Sequence, residues 1–123
     1  AADGAPVRAK KHASSFLPLD PFTVNLADEG GERMAQIGVT LEVADSETET
    51  ALKARMPALR NGILLQLSAS QSSELLTLAG KQRLAARIAE LAGGHVGWKN
   101  DPAAARPRPN PVEAVHFSQF IVQ

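Results

Sequence analysis

Between Ala35 and Val43 the side chains alternate without a break. Ala35, Ile37, Val39, Leu41 and Val43 are apolar, and Gln36, Gly38, Thr40 and Glu42 stand between them. A period of two sends successive side chains to opposite faces of an extended chain, so the run reads as a strand with one face buried. Upstream, Phe22, Val24 and Leu26 alternate with Thr23 and Asn25 in the same way, giving a second strand. The intervening Asp28-Glu-Gly-Gly-Glu32 has the turn chemistry of a hairpin, with two glycines able to take positive φ. Phe16 to Phe22 carries Pro18 and Pro21, which fix an extended path and forbid a central strand there.

After Val43 the period changes. Leu52, Met56, Leu59, Ile63 and Leu67 recur at helical spacing and form one stripe of an amphipathic helix. Ser46-Glu-Thr-Glu49 precedes them as a capping box. Pro57 falls inside the stripe and should kink or divide the helix. Ser68 to Ser73 is a break, with Ser72 or Ser73 available to cap another helix. Leu75, Leu76 and Leu78 give a short helical turn with a joint at Gly80. Leu84, Ile88 and Leu91 then continue a helix that stops at Gly93-Gly94. Asn100 to Pro111 is rich in Pro and Ala and reads as an extended surface loop. Val112 to Gln123 is a further strand, with Val115, Phe117, Gln119 and Ile121 on one face and His116, Ser118, Phe120 and Val122 on the other. The fold class that follows is α+β: a small antiparallel-rich sheet with helices on one face, in the order β-β-α-α-β.

The chain has 123 residues, room for one core and a tail. Residues 1–15 are small, polar and basic, with no apolar periodicity, and read as a flexible tether leading into a single domain over residues 16–123. Arg8, Lys10, Lys11 and His12 form a basic cluster in that tether, suited to solubility or to lipid headgroups. Lysine and arginine together number 13 and aspartate and glutamate 13, so the net charge is zero. That balance lacks the positive field on which nucleic-acid binding depends. With no cysteine, disulfides, thiolate metal sites and thiol catalysis are excluded. No apolar run reaches the ~20 residues of a membrane helix, and the opening Ala1-Ala-Asp-Gly does not resemble a secretory signal. The sequence reads as a soluble piece of something longer.

A catalyst needs convergent groups, and none is visible. His12, His95 and His116 lack the HxH or HExxH spacing of a zinc site. His95 instead suits a helix C-terminus, and His116 a sheet surface. Ser68, Ser70, Ser72 and Ser73 sit where caps belong, outside any GxSxG elbow. Gly80-Lys81 lacks the remainder of a phosphate loop. Asp45, Glu47 and Glu49 are first-turn acids, favoured there by the helix dipole. The expectation is a chain with no catalytic residue, metal or cofactor.

Five segments, in order, resemble one family. They are Phe16-Leu-Pro-Leu-Asp-Pro-Phe-Thr-Val-Asn-Leu26, Gln36 to Val43, Pro57-Ala-Leu-Arg-Asn-Gly-Ile-Leu64 with Leu67-Ser68, Gly80-Lys81-Gln-Arg-Leu84, and Val115-His-Phe-Ser-Gln-Phe-Ile-Val-Gln123. Together they resemble the periplasmic region of the flagellar basal body-associated FliL family across nearly the whole of residues 16–123. His116 and Ser118 stand where that family is expected to carry Tyr and Thr, and the Pro-rich stretch is a variable insert. The family's amino-terminal transmembrane helix is not in this sequence, so the chain would be the exported portion at the periplasmic face of the inner membrane.

The resemblance implies a fold like the stomatin/prohibitin (SPFH) domain, self-association into a ring, and partnership with the stator proteins MotA and MotB at the basal body. It further implies a mechanical, non-enzymatic role in torque and motility, in which a collar holds the stator linker extended. A general SPFH-like scaffold organising other inner-membrane proteins or lipids is the alternative. Because the matching motifs are mostly core and turn positions, contact residues do not transfer. Surface candidates for partner contact are Thr40 and Glu42 on the open sheet face, Lys53, Arg55 and Arg60 on the helix, and Arg106 and Arg108 in the Pro-rich loop.

Overall fold

Strand β3 (Met34–Val43) is the axis of the structure, a computed structural model describing residues 14–30 and 32–123. Arg8, Lys10, Lys11, His12 and Gly31 lie outside the described residues. Before β3 come β1 (Ser15–Pro18) and β2 (Phe22–Asn25). After it come helices α1 (Ser46–Lys53), α2 (Met56–Ser68), α3 (Ser72–Leu75) and α4 (Leu78–Gly94), and then β4 (Val112–Val122). The class is α+β, with every strand pair antiparallel. The described order is β-β-β-α-α-α-α-β, longer than the five elements expected.

The additional strand comes from the proline segment. β1 pairs with the Thr40–Val43 half of β3, and β2 with the Met34–Ile37 half. β4 runs along the other edge of β3 from Ala35 to Val43. Thus β1 and β2 are two pieces of one edge strand, interrupted between the prolines. Leu19, Asp20 and Pro21 there face only Gly38 and Val39, an extra residue in the edge strand. Such a bulge slips the side-chain alternation by one position. Leu17 and Leu19 point into the core before it, and Phe22, Val24 and Leu26 after it. The edge location is what the prolines require, since each lacks a ladder N–H. In the β2–β3 turn, Gly30 takes φ +96, a conformation glycine adopts without a Cβ clash.

β4 contains two further bulges. Gln119 and Phe117 pair with consecutive residues Gly38 and Val39, leaving Ser118 as the extra residue; Glu113 is extra between Ala114 and Val112. The expected partition of β4 into two fixed faces therefore fails at Ser118. Val115, Phe117, Phe120 and Val122 all pack toward the core. Opposite them His116, Ser118 and Ile121 are exposed.

The helices cover one face of the sheet. Leu52, Leu59, Ile63 and Leu67 are fully buried as their spacing demanded, and meet Ile37, Val39 and Leu41 of β3 in one core with Leu84 and Ile88 of α4. Pro57 divides the stripe rather than bending it, because it lies in the first turn of α2, where a missing N–H forfeits no intrahelical bond.

The caps differ from the expected ones. At α1 the cap is Asp45, not Ser46: its extended backbone lets the carboxylate accept from the Thr48 N–H at 2.8 Å. Glu49 pairs with Lys53 instead of closing a capping box. The joint before α4 falls at Leu76–Thr77, upstream of Gly80, and the Thr77 side chain caps the Gly80 N–H at 2.9 Å. Gly80 is buried for a different reason. A Cβ there would stand 1.8 Å from the Glu74 carbonyl oxygen, so only glycine lets α3 and α4 approach this closely.

Candidate functional site

Among the described residues, no helix lies over the sheet's second face. Phe16 and Pro18 of β1, Thr23 of β2, Gln36 of β3 and His116 and Ile121 of β4 are exposed there, with Thr40 and Glu42 half-buried among them. Phe16 is 55% exposed and its ring centroid lies 6.0 Å from that of His116. Nε2 of His116 in turn lies 2.9 Å from Oε1 of Glu42. An apolar ring, an imidazole and a carboxylate thus span three strands on one open surface. The register produces this, placing Phe16 opposite Glu42 and Thr40 opposite His116.

The helical candidates are separated from that face, and each holds a different partner. Lys53 projects from the end of α1 in an i,i+4 ion pair with Glu49 at 3.0 Å. Arg55 occupies the α1–α2 junction, and its Nε donates to Nδ1 of His95 at 3.3 Å. His95 is the C-cap of α4, the position its Gly-Gly context predicted. Arg60 is turned inward. Its guanidinium sits 4.1 Å from the Phe22 ring centroid and donates to the Asp20 carbonyl at 2.8 Å, fastening the β1–β2 bulge to α2. A groove of about 310 Å³ beside it is lined by Pro21, Phe22, Pro57, Arg60 and Leu64 among others.

The Pro-rich loop is cross-braced and not simply extended. Trp98 Nε1 donates to the Arg108 carbonyl at 2.8 Å, and the Arg108 guanidinium donates back to the Gly97 carbonyl at 3.2 Å. Asn110 ties the loop's end to α4 by donating to the Ala89 carbonyl. Arg106 is exposed on the outside of this brace. The candidates therefore occupy three patches: Thr40 with Glu42 on the sheet, Lys53, Arg55 and Arg60 along α1 and α2, and Arg106 with Arg108 on the loop.

Two features escaped sequence reasoning. Asp28, assigned only to a turn, accepts the backbone N–H of Ser72 at 2.7 Å and also the Ser72 hydroxyl. The Ser72 hydroxyl first, and then its N–H, hold the Asp28 carboxyl below the usual range, against an opposing effect of partial desolvation and with help from Arg33. Ser72 thus receives its cap from the hairpin and supplies none itself. The other feature is a groove of about 250 Å³ lined by Leu78, Lys81, Gln82 and Ala85 of α4 and Val115 and Phe117 of β4. A signal for it was present: Leu78 is apolar but lies off the buried stripe of Leu84 and Ile88, and it is 71% exposed. Among the described residues, no group of three or more His, Asp or Glu side chains could hold a metal ion. Nor is any helix among them long and apolar enough to cross a membrane.

These features define a small α+β domain with one open sheet face and apolar grooves at its margins. A sequence model of the family described as flagellar basal body-associated protein FliL matches residues 16–123, and the chain belongs to that family. The flagellar protein FliL of Escherichia coli K12 is 40% identical over 73 residues, covering 59% of this chain and 46% of that protein. The flagellar protein FliL of Aquifex aeolicus VF5 is 28% identical over 120 residues, 97% of this chain and 68% of that protein. The chain thus spans about half the length of its Escherichia coli relative.

Proposed function

We propose that this domain is a non-enzymatic accessory of the bacterial flagellar motor, standing at the periplasmic face of the inner membrane beside the basal body. It associates there with stator units built of MotA and MotB, assembles into a ring, and supports torque generation. The family match over residues 16–123, which takes in every strand and helix except the first residue of β1, carries this reading. A sheet packed on one side by helices and open on the other also suits the SPFH-like scaffold that the resemblance implies. Such a scaffold acts on a stator only through unequal affinity for its two states, because a ligand with equal affinity for both shifts nothing.

The test is recovery of MotA or MotB with the protein as made in cells, after mild crosslinking. Recovery that disappears when residues 16–123 are deleted supports the motor role. Failure to recover either subunit despite good expression, with motility intact in a deletion strain, replaces it with the general-scaffold reading. Within the motor reading, charge reversal at Lys53, Arg55, Arg106 or Arg108, or alanine at Thr40 or Glu42, maps which of the three patches touches the stator.

A further inference from the structure

β4 has a second edge, and among the described residues no strand pairs with it. Open edges invite pairing with any extended chain, and proteins commonly blunt them with bulges. Here the bulges at Glu113 and Ser118 bracket the edge, leaving Ala114 to Phe117 as a regular run. That length is short for aggregation yet sufficient to seat a short peptide.

Beside this run lies the apolar groove under α4. Val115 and Phe117 form its sheet side, and Leu78, Gln82 and Ala85 its helix side. Any chain added to the β4 edge must alternate its side chains, one set toward the open face and one toward the helices. The helix-facing set arrives in the groove, so backbone and side-chain recognition coincide at one place. A groove alone would accept any greasy group; an edge alone would accept any strand. The two together select an extended segment with apolar residues at every second position.

Charge adds a further requirement. Lys81 lines the groove and stands 5.1 Å from the Phe120 ring centroid. Glu74, the acid near this end of α4, is taken by Arg83 and Arg87, and among the described residues Lys81 has no carboxylate partner. Leu78, beside it, is the most exposed large apolar side chain described.

We propose that the Ala114–Phe117 edge of β4, with the groove under α4, docks an extended segment of a partner protein by strand addition. The segment carries apolar side chains at alternating positions and a carboxylate at its Lys81 end. The site does not depend on the partner being a stator protein. Loss of stator recovery with peptide binding intact would overturn the motor role and leave the docking site standing.

The experiment titrates the 15N-labelled chain with a capped octapeptide, Ser-Thr-Val-Thr-Val-Thr-Glu-Ser. Three relatives accompany it: one with Lys in place of Glu, and two N-methylated on alternate residues in opposite phase. Strand addition uses the N–H groups of only one phase, so one methylated peptide should lose binding while the other keeps it. Amide shifts should be confined to Ala114–Phe117 and Leu78–Ala85. Lys81→Glu should weaken the Glu peptide roughly threefold and favour the Lys peptide, as an exposed ion pair would. Leu78→Lys, at a position too exposed to threaten folding, should weaken both.

Several outcomes would overturn the proposal. Equal binding by both methylated peptides would mean adhesion without strand pairing. Shifts elsewhere, or none at millimolar peptide, would remove the site. Binding only after removal of residues 1–13 would make the chain's own terminus the occupant. Concentration-dependent protection of the β4 edge without peptide would assign it to a second copy.

Discussion

Asp28 and Ser72 lie 44 positions apart, yet the carboxylate of the first caps the backbone N–H and binds the hydroxyl of the second. Nearby, the Ala27 N–H donates to the Ser70 carbonyl at 2.8 Å. The β2–β3 turn and the α2–α3 junction are thus fastened together, and a turn rich in polar residues becomes a tertiary clamp.

The clamp should depend on pH with a definite sign. Because the folded-state pKa of Asp28 is lowered, its contribution is fully present above the unfolded value of about 3.9 and lost as pH falls through the folded value. Asp28→Asn should therefore lower the melting temperature at neutral pH. The gap from the parent should narrow as pH falls below that unfolded value, as followed by thermal melts across the acid range.

Gly80 tolerates no side chain. Gly80→Ala drives a methyl into the Glu74 carbonyl, and overpacking of this kind should cost about 1–3 kcal/mol or more in urea unfolding. Gly94→Ala, where a Cβ would meet nothing within 4 Å, should be neutral or add about 0.5 kcal/mol.

Leu41 and Leu65 differ only in surroundings. Leu41 is fully buried under the helices, whereas Leu65 is 60% exposed on α2. Leu41→Ala should cost about 2–5 kcal/mol, and Leu65→Ala less than about 0.5 kcal/mol. Chemical denaturation of the two variants side by side makes the comparison.

Arg60 holds the proline bulge by a carbonyl hydrogen bond and by its stacking on Phe22. Arg60→Glu should lower stability by about 1–2 kcal/mol. Arg60→Lys should recover only part of it, since an ammonium lacks the planar fork. An unchanged melting temperature together with lost stator recovery would instead make Arg60 a contact residue.

The strength of each local signal decided how far the sequence could be read. β3 announces itself because nine consecutive positions agree on one period, and the α2 stripe because Leu59, Ile63 and Leu67 all face one core. β1 was hidden by its prolines, which mark an edge strand as readily as a loop. The slip at Ser118 left no trace, because a bulge changes which residues share a face without changing composition. At α1, Asp45 and Ser46 are adjacent and both able to cap, and only the backbone conformation chooses. The Asp28 clamp and the groove under α4 needed tertiary contacts that no periodicity encodes. Of the candidate surfaces, the open sheet face was legible from alternation alone, while the inward turn of Arg60 was not.

All strand pairing in the described sheet passes through β3. Its partners β1 and β2 precede it closely, but β4 follows after roughly 70 residues of helix and loop. During synthesis, then, β3 waits. A nascent chain that has emitted all four helices still presents an unpaired, strongly alternating edge, the kind of surface on which chains aggregate. Completion of the described sheet is tied to arrival of Val112–Val122, so folding should be late and slow for its size.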